Sequence, residues 1–350
     1  MRLLETLGID LPIIQAPMAG VSTPAMAAAV SNAGALGSIG AGATNADGAR
    51  RMIGAVRERS KRPLNVNVFC HRPAKASNAL EGGWLEFLRP PFERFGVKPP
   101  LRLREIYRSF LEDEGMLAAL VAEKPRVVSF HFGLPSAEQI RALREAGSVL
   151  LATATSLAEG RAAVNAGVDA VVAQGYEAGG HRGVFDADGE DDCLGTLPLT
   201  RILVRSLDVP VIAAGGIMDG LGITAALRLG AAAAQLGTAF IACDESDADA
   251  GYRRALASEA AHHTVMTRVI SGRPARCLQN SFTILARAAS PRQVPDYPIA
   301  YDAGKALNAA AKAAGETGYG AQWAGQGAPL ARALPAAELV AALAKELRHT

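Results

Sequence analysis

Cysteine is scarce in this chain: Cys70, Cys193, Cys243 and Cys277 are the four among 350 residues, and no two form a CxxC pair. That scatter argues against a disulfide framework and fits reduced thiols in a cytoplasmic protein. Aromatic residues are only 5%, the formal net charge is +2, and no long basic stretch occurs. The footprint of a nucleic-acid binder is therefore missing. No run of 18 uninterrupted apolar residues exists, so no membrane span is expected. The opening stretch MRLLETLGIDLPIIQAPMAG has one early arginine, two acids and a proline within its apolar part, unlike a signal peptide. HExxH and GxSxG are absent as well, and no clustered carboxylates suggest a metal site, so neither a metal site nor a hydrolase elbow is expected.

What the chain does have is apolar bulk and glycine. Hydrophobic residues are 49% and charged residues 20%, enough for a substantial core. Glycine contributes 36 residues, about a tenth, against a usual share of about 7%. Much of the excess sits at the ends of short apolar runs. Eight such runs follow one another: PIIQAP (12–17), ALGSIG (35–40), LNVNVF (64–69), RVVSFHFG (126–133), SVLLATA (148–154), VDAVVAQG (168–175), VPVIAAGG (209–216) and AAAQLGTAF (232–240). Their continuous apolarity predicts strands buried on both faces, hence a parallel sheet. Helical patterns lie between them, opened by Thr23 with Pro24, Ser136, Ser156 and Asp219, and closed by Gly34, Gly147, Gly167 and Gly230.

Eight strand-then-helix units in roughly 240 residues predict an α/β chain folded as a (β/α)8 TIM barrel. A doubly wound sheet is the other arrangement that fits. It is weakened because GAGATN (40–45) fails to complete GxGxxG. The expected barrel spans 1–250, with an insertion at about 71–112. A helical and loop-rich C-terminal segment, 251–350, is expected to pack over the barrel mouth and complete the active site.

In such barrels the active site lies at the C-terminal ends of the strands. AAGGI and QLGT end the seventh and eighth runs, and glycines there would let phosphate oxygens reach main-chain N–H groups, with Thr238 adding a hydroxyl. Two tight turns are the plainer reading. Asn67 and Gln174 are polar groups at the ends of apolar strands, and a ring with carbonyl and N–H edges, such as a flavin, would satisfy them. Neighbouring loops would serve equally. His131 in SFHFG and His181 in GYEAGGHRG both end strands, and Gly179 and Gly180 strip side-chain bulk from beside His181. A turn carrying a surface histidine is again the plainer reading. His71, His262, His263 and His349 lack such placement. Farther on, PDYPIAYDAGKALNAAAKAAG (295–315) reads as a helix capped by Asp296, with Tyr297, Tyr301 and Lys305 four apart on one face. Two phenols and an ammonium make an anion clamp, or an amphipathic surface helix with a snorkelling lysine.

QAPMAG, VNVF, SFHFG, GYEAGGHRG, AAGGI, QLGT, SGRPAR, YPIAY with Lys305, and WAGQG occur in an order and spacing similar to the nitronate monooxygenases of the bacterial class I type, formerly called 2-nitropropane dioxygenases. The resemblance runs from about residue 8 to about 330. Single motifs such as AGGH are shared with an FMN-dependent enoyl-ACP reductase and with NAD(P)H:quinone reductases, so a reductase-type flavin barrel is the alternative. The resemblance implies a cytoplasmic, detoxifying flavoprotein that binds FMN without a covalent link. Met18, Asn67, Gln174, Gly179, Gly180, Gly215, Gly216, Gln235, Leu236, Gly237 and Thr238 would then contact FMN. His181 and His131 would be the catalytic pair, and Tyr297, Tyr301 and Lys305 the substrate-binding group. The implied partners are a small nitronate, such as propionate 3-nitronate, and O2. No nucleic acid, membrane or metal is expected, and the chain would be a monomer or homodimer.

Overall fold

A computed structural model describes residues 2–290 and 293–349. Its strands are β1 (Ile13–Gln15), β2 (Gly37–Gly40), β3 (Leu64–Phe69), β4 (Val127–His131), β5 (Val149–Ala154), β6 (Ala170–Gln174), β7 (Gly180–His181), β8 (Val211–Ala214), β9 (Ala233–Leu236), β10 (Thr264–Thr267) and β11 (Ala275–Leu278). The helices are α1 (Arg2–Leu7), α2 (Pro24–Asn32), α3 (Ala46–Arg59), α4 (Asn78–Arg94), α5 (Glu114–Glu123), α6 (Ala137–Glu145), α7 (Leu157–Ala166), α8 (Thr196–Ser206), α9 (Gly220–Arg228), α10 (Ala250–Leu256), α11 (Ser281–Leu285), α12 (Ile299–Ala313) and α13 (Ala336–Arg348).

All eight apolar runs are strands of one parallel sheet, in the order β1-β9-β8-β6-β5-β4-β3-β2. A parallel bridge between Ile14 and Leu36 joins the two ends, so the sheet closes into a TIM barrel. Closure leaves no free edge, and both faces are covered. Inside, Leu3 and Leu7 of α1 pack on Ile14, Val127, Leu151 and Ile212 and plug the N-terminal end. Higher up, the interior turns polar. Gln15 accepts from Ser38 N and donates to Ser22 Oγ, and Asn65 donates to Ser38 Oγ. These bonds let a polar layer sit within an apolar barrel, although Asn65 Oδ1 has no partner in the protein.

The helix starts follow their caps. Thr23 accepts from Met26 N at 3.0 Å ahead of Pro24, and Ser136 forms a reciprocal capping box with Gln139. Asp296 is a different case. The helix α12 begins three residues later, at Ile299, behind a cis Tyr297–Pro298 peptide, and has no side-chain cap. The Asp296 carboxylate is taken instead by Lys75 N at 3.0 Å, which ties the 71–112 stretch to the C-terminal segment.

The expectation of helix and loop after residue 250 misses two strands. In that region β10 pairs with β11, and β11 pairs antiparallel with β7, register Ala275–His181 and Arg276–Gly180. The GGH stretch is thus stitched into a three-stranded sheet above the barrel. Within 71–112, α4 packs Trp84, Leu88 and Phe92 against Ile299, Ala303 and Leu307 of α12. The last helix, α13, places Leu339, Val340 and Leu343 against Met26 and Val30 of α2 and Ile223 of α9. No helix among the described residues is long and apolar enough to cross a membrane.

Candidate active site

A cleft enclosing about 1350 Å³ of empty space, mouth included, opens at the C-terminal ends of the strands. At one end of it lie Gly215, Gly216, Gly237 and Thr238. Gly215 and Gly216 have φ of +126° and +69°, a region that side chains rarely adopt, so glycine is required to turn the chain there. No main-chain acceptor among the described residues takes the N–H of Gly216, Gly237 or Thr238. Thr238 Oγ1 accepts from Gly325 N at 3.0 Å, leaving its own proton to donate. The second glycine turn, AGQG of the C-terminal segment, lies directly against GGH: a Cβ at Gly179 would fall 2.4 Å from Gly325 N. Glycine at position 179 is therefore needed for contact between two main chains.

The middle of the cleft carries Met18, Asn67 and Gln235. Asn67 donates to both Ser129 O and Ser129 Oγ at 3.0 Å, which leaves its carbonyl oxygen for a ligand. Gln174 lines the cleft too, but both ends of its amide are engaged: Nε2 donates to His181 O at 3.0 Å and Oε1 accepts from Gly183 N at 2.7 Å. It braces the GGHRG loop. Leu236 turns its side chain away, into the layer with Ile13 and Met26 under the outer helices.

At the other end stand the rings. His181 has Ser271 Oγ at 2.8 Å from Nε2, and its ring lies 5.0–6.1 Å, centroid to centroid, from those of Trp323, Tyr297 and Tyr301. His131 sits behind it with both nitrogens used, Nδ1 on Thr153 Oγ1 at 3.1 Å and Nε2 on His181 O at 3.2 Å. A carbonyl only accepts, so Nε2 carries the proton and Nδ1 receives that of Thr153. Both nitrogens of His131 are thus engaged within the protein, while its ring lines the cleft. Burial lowers the His131 pKa to about 4 and that of His181 to about 3, nearby positive charge adding to both. Both imidazoles are neutral at physiological pH. The Tyr297 phenol is held well above its ordinary range, again by burial, and its hydroxyl has no partner in the protein.

The anion stripe is rearranged. Tyr297 precedes α12, while Tyr301 and Lys305 lie on it. Lys305 is exposed and stands outside the cleft wall, its Nζ 4.8 Å from the centroid of the Tyr107 ring and 5.4 Å from that of Tyr301. Tyr107, from the 71–112 stretch, was not singled out by the sequence, and neither were Phe132, Tyr252 or Ser271. His71, given no role above, is 1% exposed and meets the Tyr297 ring edge-on at 5.0 Å. Among the described residues no group of three or more His, Cys, Asp or Glu could hold a metal.

Gly237 offers a direct test of the expectation that an FMN phosphate lies here, because its φ of −107° suits any residue and an added Cβ meets only Ala16 Cβ at 3.5 Å and Met18 Sδ at 3.6 Å. Gly237→Val is therefore expected to fold and to lose flavin affinity. FMN at a hundred times its dissociation constant should stabilise the parent by about 2.7 kcal/mol, roughly 3–4 °C in Tm for a chain of this size. The variant should show little of that rise; an undiminished rise would place the phosphate elsewhere.

Fold and cleft define a (β/α)8-barrel enzyme. The family model for nitronate monooxygenase matches residues 1–346, and the chain belongs to that family of oxidoreductases. A nitronate monooxygenase of Paraburkholderia phytofirmans is 64% identical over 348 residues, covering 99% of this chain and 95% of the relative. One from Pseudomonas aeruginosa is 54% identical over 347 residues, covering 99% of each. Among solved structures, a nitroalkane oxidase from Streptomyces ansochromogenes superimposes with a TM-score of 0.91 at 42% identity, over 100% of this chain and 98% of that one.

Proposed function

We propose that this enzyme binds FMN without a covalent link and uses O2 to oxidise alkyl nitronates to a carbonyl compound and nitrite. Small acidic nitronates such as propionate 3-nitronate are the substrate class. The observation that carries the reading is one cleft with two unlike ends. One end offers unclaimed main-chain N–H groups and the Thr238 hydroxyl, the donor set a phosphate needs. The other offers neutral imidazole and phenol groups, with a single lysine outside.

The residues present fit FMN. Gly216, Gly237 and Thr238 would hold the phosphate, and Asn67 Oδ1 and Met18 would meet the ring system. When bound, FMN would supply the electron-accepting group that links nitronate oxidation to O2. The chain's own residues do the rest. His181, its ring plane fixed by Ser271, and Tyr297, with its unclaimed hydroxyl, orient the nitronate. A nitronate is already a carbanion equivalent, so no strong base is required, and imidazoles held neutral by burial suit an anionic guest that needs hydrogen bonds more than proton transfer. Tyr107, Tyr301 and Trp323 close the apolar surround and limit water.

Anaerobic mixing tests the reading. A nitronate should change the flavin spectrum rapidly while NADH and NADPH leave it oxidised, and readmitted O2 should yield nitrite. Rapid bleaching by NADPH with no response to any nitronate would replace it with a reductase.

A further inference from the structure

The chain buries three arginines around the site, and among the described residues two of them, Arg273 and Arg276, form no ion pair with a carboxylate. Arg182 is paired with Asp191 at 2.7 and 2.9 Å. Arg276 is 3% exposed and donates to Tyr176 O at 2.9 and 3.0 Å and to Thr264 Oγ1 at 3.2 Å, and unlike Arg273 it is not among the charges that lower the histidine pKa values. Arg273 is 4% exposed; it donates to Val184 O, while its Nε has no partner. No carboxylate among the described residues forms an ion pair with it. The carboxylates whose charge reaches it are Asp188 and Glu159. Asp188 is committed to Arg268 at 2.8 Å and Arg72 at 3.2 Å. Glu159 accepts from Thr155 and from Phe185 N. Burial alone would make an unpaired guanidinium costly, and a chain that keeps one has it where its field is felt.

That place is the back of the substrate end. The Arg273 guanidinium lies 4.4 Å from the centroid of the Phe132 ring. Around the same ring are His131 at 4.4 Å, Tyr297 at 5.4 Å and His181 at 5.5 Å, centroid to centroid. Phe132 itself is held at φ +74°, an uncommon conformation for a bulky residue, so the wall is kept in position at a conformational cost. Besides the three imidazoles, the charged and titratable groups facing Arg273 are Tyr297, Arg268, Asp188 and Glu159. After burial, Arg273 is among the charges that hold His71, His131 and His181 neutral.

We propose that Arg273 is a specificity-determining residue: its unpaired charge, one aromatic ring behind the substrate end, makes the pocket favour a nitronate anion over the neutral nitroalkane. The proposal rests on the nitronate reading above. Two unit charges some 10 Å apart at an effective dielectric constant of about 20 change an equilibrium by roughly tenfold.

The test uses the FMN-loaded enzyme with Arg273→Gln and Arg273→Lys. Discrimination is read as KM for a nitronate against the inhibition constant of its parent nitroalkane, and the histidines are followed by NMR titration. Arg273→Gln should cut the discrimination about tenfold and move the titration of at least one of the three imidazoles to higher pH. Arg273→Lys, which keeps the charge and loses the guanidinium geometry, should restore both. Should Arg273→Gln fail to fold, Ala187→Glu places a carboxylate in the outer cavity that Ala187 and Arg273 both line, and should shift both readouts the same way. Unchanged discrimination with either neutralising variant, or equal losses in Gln and Lys, would overturn the proposal. A wild-type enzyme inert to nitronates would instead sink the functional reading, while the titrations would still report the charge.

Discussion

His181→Ala should slow anaerobic bleaching of the flavin by a nitronate about a hundredfold while FMN stays bound. The separation of the two effects follows from the cleft's layout. The groups proposed to hold the phosphate come from β8, β9 and the C-terminal turn, whereas His181 lies on β7. The size follows from what is lost: a fixed group aimed at the charge of the reacting anion, whose removal typically costs about 10²–10³-fold. Ser271 holds the ring at 2.8 Å and the His181 carbonyl is tied by Gln174 and His131, so the imidazole is pre-set rather than free to swing. Because burial keeps the ring neutral down to about pH 3, its share of the rate should not vary between pH 6 and 9. Stopped-flow reduction and a retained FMN absorbance check both halves. Loss of FMN along with the rate would mean that His181 builds the cofactor site instead.

Much of the barrel is legible because its strands obey a local rule. VDAVVAQG and VPVIAAGG are continuous apolar runs since both faces are covered, and Thr23, Ser136, Ser156 and Asp219 cap helices through bonds three residues away. What stays hidden depends on partners far along the chain. The β7–β11 pairing joins residues 180–181 to 275–276, and no two-residue strand carries a periodic signal. Gln174 reads as a ligand contact, and its two bonds to the following loop leave no trace in the sequence. Tyr107 lies in a stretch without regular structure, and the packing of α4 on α12, with the bonds from Lys75 N to Asp296 and from Arg104 N to Asp302, brings that stretch over the cleft. Arg273 in SGRPAR looks like any loop arginine; its meaning comes from a missing partner, which a sequence cannot display. Lys305 is legible as a member of the stripe, but a helical stripe specifies a face and not whether its last member lies inside or outside the rim.

That position sets what Lys305→Met should do. The lysine is exposed, and its Nζ rests on the rings of Tyr107 and Tyr301 just outside the substrate end. Its nearest acid along the helix, Asp302, already accepts from Arg104 N at 3.0 Å. Burial against the rings lowers the lysine's pKa and Asp302 opposes the shift. A nitronate held by His181 and Tyr297 that carries a carboxylate tail would reach outward towards this cation, whereas an uncharged tail would gain nothing from it. Contacts to a charged group contribute about 1.5–3 kcal/mol, or roughly tenfold to a hundredfold, and solvent at an exposed site favours the lower end. Lys305→Met keeps a long apolar side chain over the two rings and removes only the charge. kcat/KM should therefore fall about tenfold for a carboxylated nitronate and hardly at all for an alkyl one. Raising the salt concentration should erode the parent's preference and leave the variant unmoved, since only the parent has an exposed charge to screen. Equal losses on both substrates would show that the ammonium serves to hold Tyr107 against Tyr301, and that the carboxylate is met elsewhere.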